Sequence, residues 1–325
     1  NSEINNFNPK NGTQASLGVL MGNIYKKSKG RAFSLRNKSM KLWKEWLAEI
    51  DYPEFNLILE KPLIKLASSE KEYQSMIQII NNKKGFKIEL LDKNSLDFWN
   101  STFETKLIGG VISHEDGRLN PIELIKVLMH SLDQLKINKI ENNVVKISKN
   151  NKLHEKRWNI NLGNNKYMNQ DFVVLCSALN TQKLLAPLGY KIFLEPILGQ
   201  VVELELEDKA INWQDWPGIL NYQSINFIHN KPNHLLMGAT VERGISPSQL
   251  EKQVMLKIKD TAPKWIRNAR VSNEWSGIRA RPTNEPSPLI KELETGLLIN
   301  TGHYRNGILL APACAEWIGL KIENQ

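Results

Sequence analysis

Cysteine is nearly absent. Cys176 and Cys314 are the only two in 325 residues. Each sits in an apolar run, which argues against a disulfide-stapled secreted scaffold and suits reduced, buried thiols in a cytosolic protein. A thiolate metal site would need more ligands, and the six histidines (His114, His130, His154, His229, His234, His303) show no metal-ligand spacing. Long hydrophobic runs are missing as well. The longest, Ile308 to Leu320, is interrupted by Pro312 and Glu316. It falls short of the roughly 18 apolar residues of a membrane span and reads as buried helix. The first residues are polar, so no signal peptide is read, and the chain starts without Met, so the true N-terminus is expected elsewhere. There is no Gly-x-Ser-x-Gly nucleophile elbow, no internal repeat and no low-complexity segment.

What is present suits an enzyme-sized globular chain. A hydrophobic fraction of 41% supports a sizeable core in one large or two ordinary domains. The formal net charge is +9. An acidic partner such as nucleic acid is one reading. Lys, however, is spread along the chain with abundant Asn and Ile, and the cluster Lys26, Lys27, Lys29, Arg31 lacks interleaved aromatics. The charge therefore reads as compositional bias, and the cluster as a solvated loop.

Residues 1–12 read as a polar loop, followed by a small, apolar stretch over 13–21. Helical periodicity covers 34–50, with Leu35, Met40, Leu42, Trp43, Trp46 and Leu47 near one face. A strand is expected over 62–67. A helix follows over 69–82, with Ser68 or Ser69 as N-cap and Glu72 in its first turn. Gly109 to Ile112 is strand-like and turns at Glu115-Asp116-Gly117. Asn120-Pro121 then opens a helix that runs to about Leu135, with Asn as N-cap and Pro at the first helical position. Segments around 144–147 and 158–162 read as an antiparallel meander. Residues 171–178 (DFVVLCSA) read as a fully buried strand. Alternation at 201–206, 225–228 and 235–238 points to a second, largely antiparallel sheet, and 248–258 has a helical pattern. A buried strand is expected over 296–300, a tight loop between Gly302 and Gly307, and a helix from about Ile308. Alternating β and α pieces with a separate β-rich stretch predict an α/β fold with an inserted sheet.

The sharpest chemical signal is at the C-terminus. Residues 297–312 read LLINTGHYRNGILLAP: buried strand, glycine-containing turn, apolar helix. A helix N-terminus presents unpaired N–H groups and partial positive charge, so such a unit suits an anion or a developing negative charge. Taken alone, a structural turn explains its glycines about as well.

This stretch resembles the C-terminal flavin motif of the D-amino-acid oxidase and glycine oxidase superfamily of FAD-dependent oxidoreductases. Gly302, His303, Tyr304, Arg305, Asn306, Gly307, Ile308 and Leu309 carry the match. In that family the turn and helix start lie against the pyrimidine end of the flavin. Residues 275–282 (WSGIRARP) are similar to the family's Gly-x-Arg motif, whose arginine pairs with the substrate carboxylate. Arg279 takes that place without a gap, and Arg281 fits with a small insertion. Residues 14–22 (QASLGVLMG) resemble the small-residue stretch that passes close to the flavin, which would make Ala15, Ser16, Gly18, Val19, Leu20 and Met21 cofactor-contacting. The strand 172–178 resembles one that ends beside the cofactor and adds Ser177, although the family's usual small-Gly pair is absent. The segment 109–121 also fits the family pattern.

Two departures stand out. The Gly-x-Gly-x-x-Gly turn that holds the FAD pyrophosphate does not occur, so the first βαβ unit is expected to lie upstream of this chain. On that reading, this chain without the turn is expected not to hold FAD tightly. In the substrate sheet, glycine oxidase places a Tyr whose hydroxyl helps hold the carboxylate. The counterpart here is Phe227, which has no hydroxyl. His229 is a substitute on the same strand face, with plain structure as its other reading, and Tyr222 and Tyr304 are further candidates.

The resemblance implies a glutathione-reductase-like Rossmann FAD domain, incomplete at its N-terminus, formed by 1–50, 110–190 and 273–325. It is interleaved with an antiparallel-sheet α+β substrate domain of 51–109 and 191–272. It implies non-covalent FAD, with Cys314 a core thiol. The implied reaction is oxidation of the C–N bond of glycine, sarcosine or a D-amino acid by hydride transfer to flavin N5. Arg279 would hold the carboxylate, assisted by Arg305, and dioxygen would be the acceptor. No nucleic acid or membrane partner is implied, and a homo-oligomer is left open. A dehydrogenase, a tRNA- or cofactor-modifying flavoenzyme and a non-catalytic binding protein of the same fold are the other readings.

Overall fold

The computed structural model describes residues 11–50, 52–150, 156–207, 213–245 and 264–324. The helix expected over 248–258 and most of the N-terminal polar loop lie outside the described residues. No helix among them is long and apolar enough to cross a membrane.

The fold is mixed α/β, as the sequence led us to expect, and a nine-stranded sheet dominates it. At one end of it Leu194–Glu205 runs antiparallel to Arg270–Pro282 along almost their full lengths. The other edge of Leu194–Glu205 takes Glu242–Arg243 near its start and His234–Gly238 near its end. The sheet then continues through Ile225–Lys231, Ile219–Tyr222, Leu63–Ala67, Gly109–Ser113 and Ile88–Leu90. Only the Ile219–Tyr222 and Leu63–Ala67 pair is parallel within it.

Period-2 alternation gives this sheet two buried faces. One face carries Val202, Leu204, Leu220, Phe227, Leu235 and Met237. It packs on Trp99 and Phe103 of the helix Lys93–Phe103, together with Trp213, Trp216 and Trp265. The opposite face carries Val201, Ile219, Ile228 and Leu236. It packs on Met76 and Ile79 of the helix Glu70–Asn82 and on Leu17, Val19 and Met21.

Three smaller sheets surround it. Val19–Leu20, Gly117–Leu119 and Leu59–Glu60 form one. The meander Lys146–Lys149, Trp158–Asn161 and Tyr167–Gln170 forms the second, as anticipated. In the third, Val173–Leu175 is parallel to Leu297–Thr301, which is antiparallel to Leu289–Glu294.

The capping signals hold. Ser69 Oγ accepts from the Glu72 N–H at 3.4 Å. Asn120 Oδ1 accepts from the Ile122 N–H at 3.0 Å, with Pro121 at the first helical position. The strand expected over 171–178 needs correction, because it is hydrogen-bonded only at Val173–Leu175. Beyond Leu175 the chain leaves its parallel partner and turns through Ala178 at φ 48°. Cys176 is therefore exposed rather than a buried core thiol, whereas Cys314 is buried as expected. The helix Lys93–Phe103 and most of the strand Arg270–Pro282 were not foreseen, since both are rich in polar residues.

The long helices Arg31–Glu49 and Gly307–Glu323 pack together around Trp43, Leu309, Leu310 and Cys314. Pro312 lies inside the second helix and has no N–H for the carbonyl four residues earlier, that of Ile308. Trp43 Nε1 donates to that carbonyl at 3.0 Å. The pairing anchors the helix start against the neighbouring helix.

Candidate functional site

A cavity of about 630 Å³ opens where the second sheet face meets the start of the C-terminal helix. This volume is in the range of small-molecule sites. Its walls bring together sequence segments nearly 300 positions apart. Ala15, Ser16, Gly18, Val19 and Met21 line one side. Gly302, His303, Tyr304, Arg305, Asn306, Gly307 and Ile308 line another, and Arg279 projects from the sheet.

Leu20 and Leu309 do not join them. Both are buried in the hydrophobic cluster around Trp43. Ser177 is also turned away and bonds Thr181 Oγ1 at 3.1 Å, while its neighbours Cys176 and Ala178 line the cavity. Gly18 is required for a reason other than cofactor approach. Its φ is +74°, and a methyl on it would overlap the Leu119 carbonyl.

Phe227 and His229 are not brought to the cavity. Phe227 is fully buried on the opposite sheet face, in edge contact with Phe103 at 5.8 Å between centroids. His229 shares that face and stacks on Trp213 at 4.3 Å, nearly parallel. Tyr222 also packs there, beside Phe103. Adjacent residues on a strand point to opposite faces, so Asn226, one position from Phe227, is the one that lines the cavity. Its cross-strand partner Asn221 lines it too. In 225–231 (INFIHNK) apolar residues fall on both parities, so the sequence did not show which set faces the site.

Arg279 is the central charge. Gly199, on the adjacent strand, leaves the space that its guanidinium fills, and a methyl there would overlap it. Nη1 donates to the carbonyls of Leu198 at 3.1 Å and Thr240 at 3.3 Å. No carboxylate among the described residues is within ion-pair distance of it. Arg281, by contrast, pairs with Glu195 at 3.2 Å and lies outside the cavity lining. Of the two arginines in the motif, the cavity therefore takes Arg279. Burial, and secondarily the charge of Arg305, push its pKa down to about 10, so it stays charged at neutral pH.

Behind Arg279, Thr240 Oγ1 accepts from the Gln200 N–H at 2.8 Å, and Gln200 Nε2 donates to buried Glu242 at 2.8 Å. Thr240 Oγ1 also donates to Glu242. This cluster fixes the Thr240 segment against which the guanidinium rests.

A second network backs the opposite wall. The Asp116 carboxylate is buried and accepts from the N–H groups of Gly22, Asn23 and Ile24 at 2.8–3.1 Å. Burial raises its pKa, and these bonds oppose the rise. Lys83, also buried, donates to Asn23 O at 2.6 Å. Desolvation lowers its pKa to about 8, with the charge of Asp116 acting the other way. Arg36 lies over the Tyr25 ring and donates to Met21 O and Asn306 Oδ1, both at 2.9 Å. It ties the two cavity walls together. The sequence reading did not single out Arg36, Asp116 or Lys83, because their role appears only once loops far apart in the chain meet.

The Asn306 side chain is taken by Arg36 and does not cap the helix that starts at Gly307. The first N–H groups of that helix are left to face the cavity, where Gly307 and Ile308 are lining residues. The Tyr304 N–H bonds Ala280 O at 3.1 Å, which ties the turn to the strand bearing Arg279. Burial lowers the pKa of His303 to about 4, so it is neutral near pH 7.

The family model described as "FAD dependent oxidoreductase" (DAO) matches residues 7–319. The chain belongs to this family. Glycine oxidase of Pseudomonas putida is 28% identical over 151 residues, which are 45% of this chain and 40% of that protein. The matched segment thus spans about two fifths of the curated relative's length. Glycine oxidase from Geobacillus kaustophilus superposes with a TM-score of 0.83 at 21% identity, over 97% of this chain and 85% of that one. Iminodiacetate oxidase from Chelativorans sp. BNC1 gives a TM-score of 0.83 at 14% identity, over 98% and 87%. These superpositions establish the fold, an FAD domain of Rossmann type joined to a sheet domain.

The cavity walls fit the flavin that this family carries. Small residues (Ala15, Ser16, Ala178, Gly302, Gly307) are among those that line its two sides. Asn300 is a lining residue whose Oδ1 is a buried acceptor without a partner among the described residues. The helix N-terminus, Arg36 and Arg305 give the cavity a positive potential, which would suit the negative charge of a reduced flavin.

Proposed function

We propose that this site oxidises the C–N bond of a small amino acid or secondary amine, such as glycine, sarcosine or a D-amino acid, with dioxygen as final acceptor. The observation that carries the reading is Arg279, a half-buried guanidinium directed into a cavity with no carboxylate partner among the described residues. Its planar donors suit a substrate carboxylate by charge-assisted bonds that fix position and orientation. Arg305, exposed at the cavity wall, adds to the field that draws an anion in.

Ala15, Ser16, Gly18, Val19, Met21 and the start of the C-terminal helix would hold FAD, which when bound would supply the hydride acceptor. The protein residues position the substrate and set its protonation. Positive charge from Arg36, Arg279 and Arg305 disfavours a protonated amine, so the substrate amine is held neutral, the form that can release a hydride from Cα. His303, itself neutral, adds no further charge. Among the described residues no carboxylate lines the cavity, and positioning carries the catalysis. The names of the similar proteins, glycine oxidase and iminodiacetate oxidase, favour amino-acid and secondary-amine substrates. On this reading 51–109 and 191–272 form the substrate domain and 1–50, 110–190 and 273–325 the FAD domain, which lends Arg279 to the sheet.

The test is anaerobic addition of glycine, sarcosine and D-amino acids to the FAD-saturated protein. Bleaching of the flavin absorption by one of them supports the reading. Bound flavin that none of them bleaches would overturn it.

A further inference from the structure

Asn221 and Asn226 form a buried amide pair in the cavity wall. Asn221 Nδ2 donates to the Ile225 carbonyl at 3.3 Å and to Asn226 Oδ1 at 2.9 Å. The backbone bond identifies which end of Asn221 is nitrogen, and the cross-strand bond then identifies which end of Asn226 is oxygen. Two polar groups are left over: the Oδ1 acceptor of Asn221 and the Nδ2 donor of Asn226. Neither has a partner among the described residues, yet neither is sealed from solvent. Both side chains are more than nine-tenths buried, and the surface they keep belongs to the cavity. They lie on the same sheet face as Arg279, several strands away.

A ligand group meeting this pair needs a donor and an acceptor side by side. A carboxylate is acceptor-only and would face Asn221 Oδ1, and an ammonium is donor-only and would face the Asn226 amide hydrogens. An alkyl group would leave both amides unpaired in a desolvated site. A carboxamide satisfies both at once, and an amide–amide pair is planar and directional. We propose that Asn221 and Asn226 read a carboxamide on the substrate side chain, so that the preferred substrate is an amino acid with a carboxamide at its far end. This rests on Arg279 being the carboxylate anchor proposed above.

Two non-reacting acids of the same shape test it on the FAD-saturated protein by calorimetry: succinamate, and 4-methylpentanoate, in which an isopropyl group replaces the carboxamide. Roughly tenfold or greater preference for succinamate is expected, because 4-methylpentanoate leaves two buried polar groups unmet. Asn226→Leu, which keeps the side-chain size, is expected to erase or reverse that preference while leaving 4-methylpentanoate binding near wild type. Equal affinity of the wild-type protein for the two acids overturns the proposal, and so does an equal loss of both in Asn226→Leu. The wild-type comparison decides even if that variant does not fold. Arg279→Ala separates the two readings. Unchanged affinity for both acids removes the anchor itself, whereas a loss of both in a protein without succinamate preference removes only the role of the asparagines. Binding of neither acid overturns both.

Discussion

The Trp43 indole donates to the Ile308 carbonyl, the one acceptor in the C-terminal helix that Pro312 cannot serve. Pro312 lies six positions into the helix that faces the cavity, so the bond replaces a missing rung close to the site. Trp43 is buried between the two long helices and could not be substituted by Phe without leaving that carbonyl unpaired.

Trp43→Phe is expected to destabilise the protein by about 1–3 kcal/mol in denaturant unfolding, the cost of a buried acceptor left without a donor plus lost packing. Pro312→Ala supplies a backbone N–H to the same carbonyl, so adding it to Trp43→Phe should recover part of the loss. Strict additivity of the two substitutions would show that the indole does not compensate for the proline.

Gly199→Ala tests the seat of Arg279. The added methyl overlaps the guanidinium, which is the movable end of a flexible side chain, so the arginine shifts and the fold survives. Substrate KM should rise on the order of tenfold or more, with melting temperature and flavin binding near wild type. An unchanged KM would mean that the guanidinium is not held where the substrate needs it.

Arg279→Lys keeps the charge and loses the planar fork. With one charge-assisted bond lost, at about 1.5–3 kcal/mol, KM should rise roughly 10- to 150-fold. Flavin affinity should not change. A matching fall in flavin affinity would place Arg279 against the cofactor instead.

His303 makes stability depend on pH. Burial lowers its folded pKa to about 4 from the usual 6.5. Between those values the unfolded chain takes up a proton that the folded one refuses, so this contribution is complete above pH 6.5 and is lost as pH falls toward 4. Since 2.303RT is about 1.4 kcal/mol per unit, the loss is at most about 3.5 kcal/mol. Comparing His303→Gln with wild type in denaturant at pH 7 and pH 4.5 should show wild type losing more stability on acidification. Equal losses would locate the acid sensitivity in other groups.

Local chemistry was legible from the sequence. The Ser69 and Asn120 caps, the meander over 146–170 and the strand–turn–helix at 297–323 depend on neighbouring residues, and they form where the residue types demand. The motifs at 14–22, 275–282 and 302–309 were also recognisable. Most of their residues reach the cavity wall, because a short rigid turn or strand fixes them relative to one another.

The tertiary structure alone decided which residues face that cavity. The strand 225–231 is apolar on both parities, so only its burial between two packed layers turns Asn226 inward to the site and Phe227 out to the tryptophan cluster. Arg279 rather than Arg281 enters because Gly199 leaves room beside one while Glu195 captures the other. Asp116, Lys83 and Arg36 acquire their roles from contacts across 60 to 270 positions of chain. Periodicity and capping are written over a few residues, whereas the choice between two faces of a doubly buried sheet is made by what packs on each side.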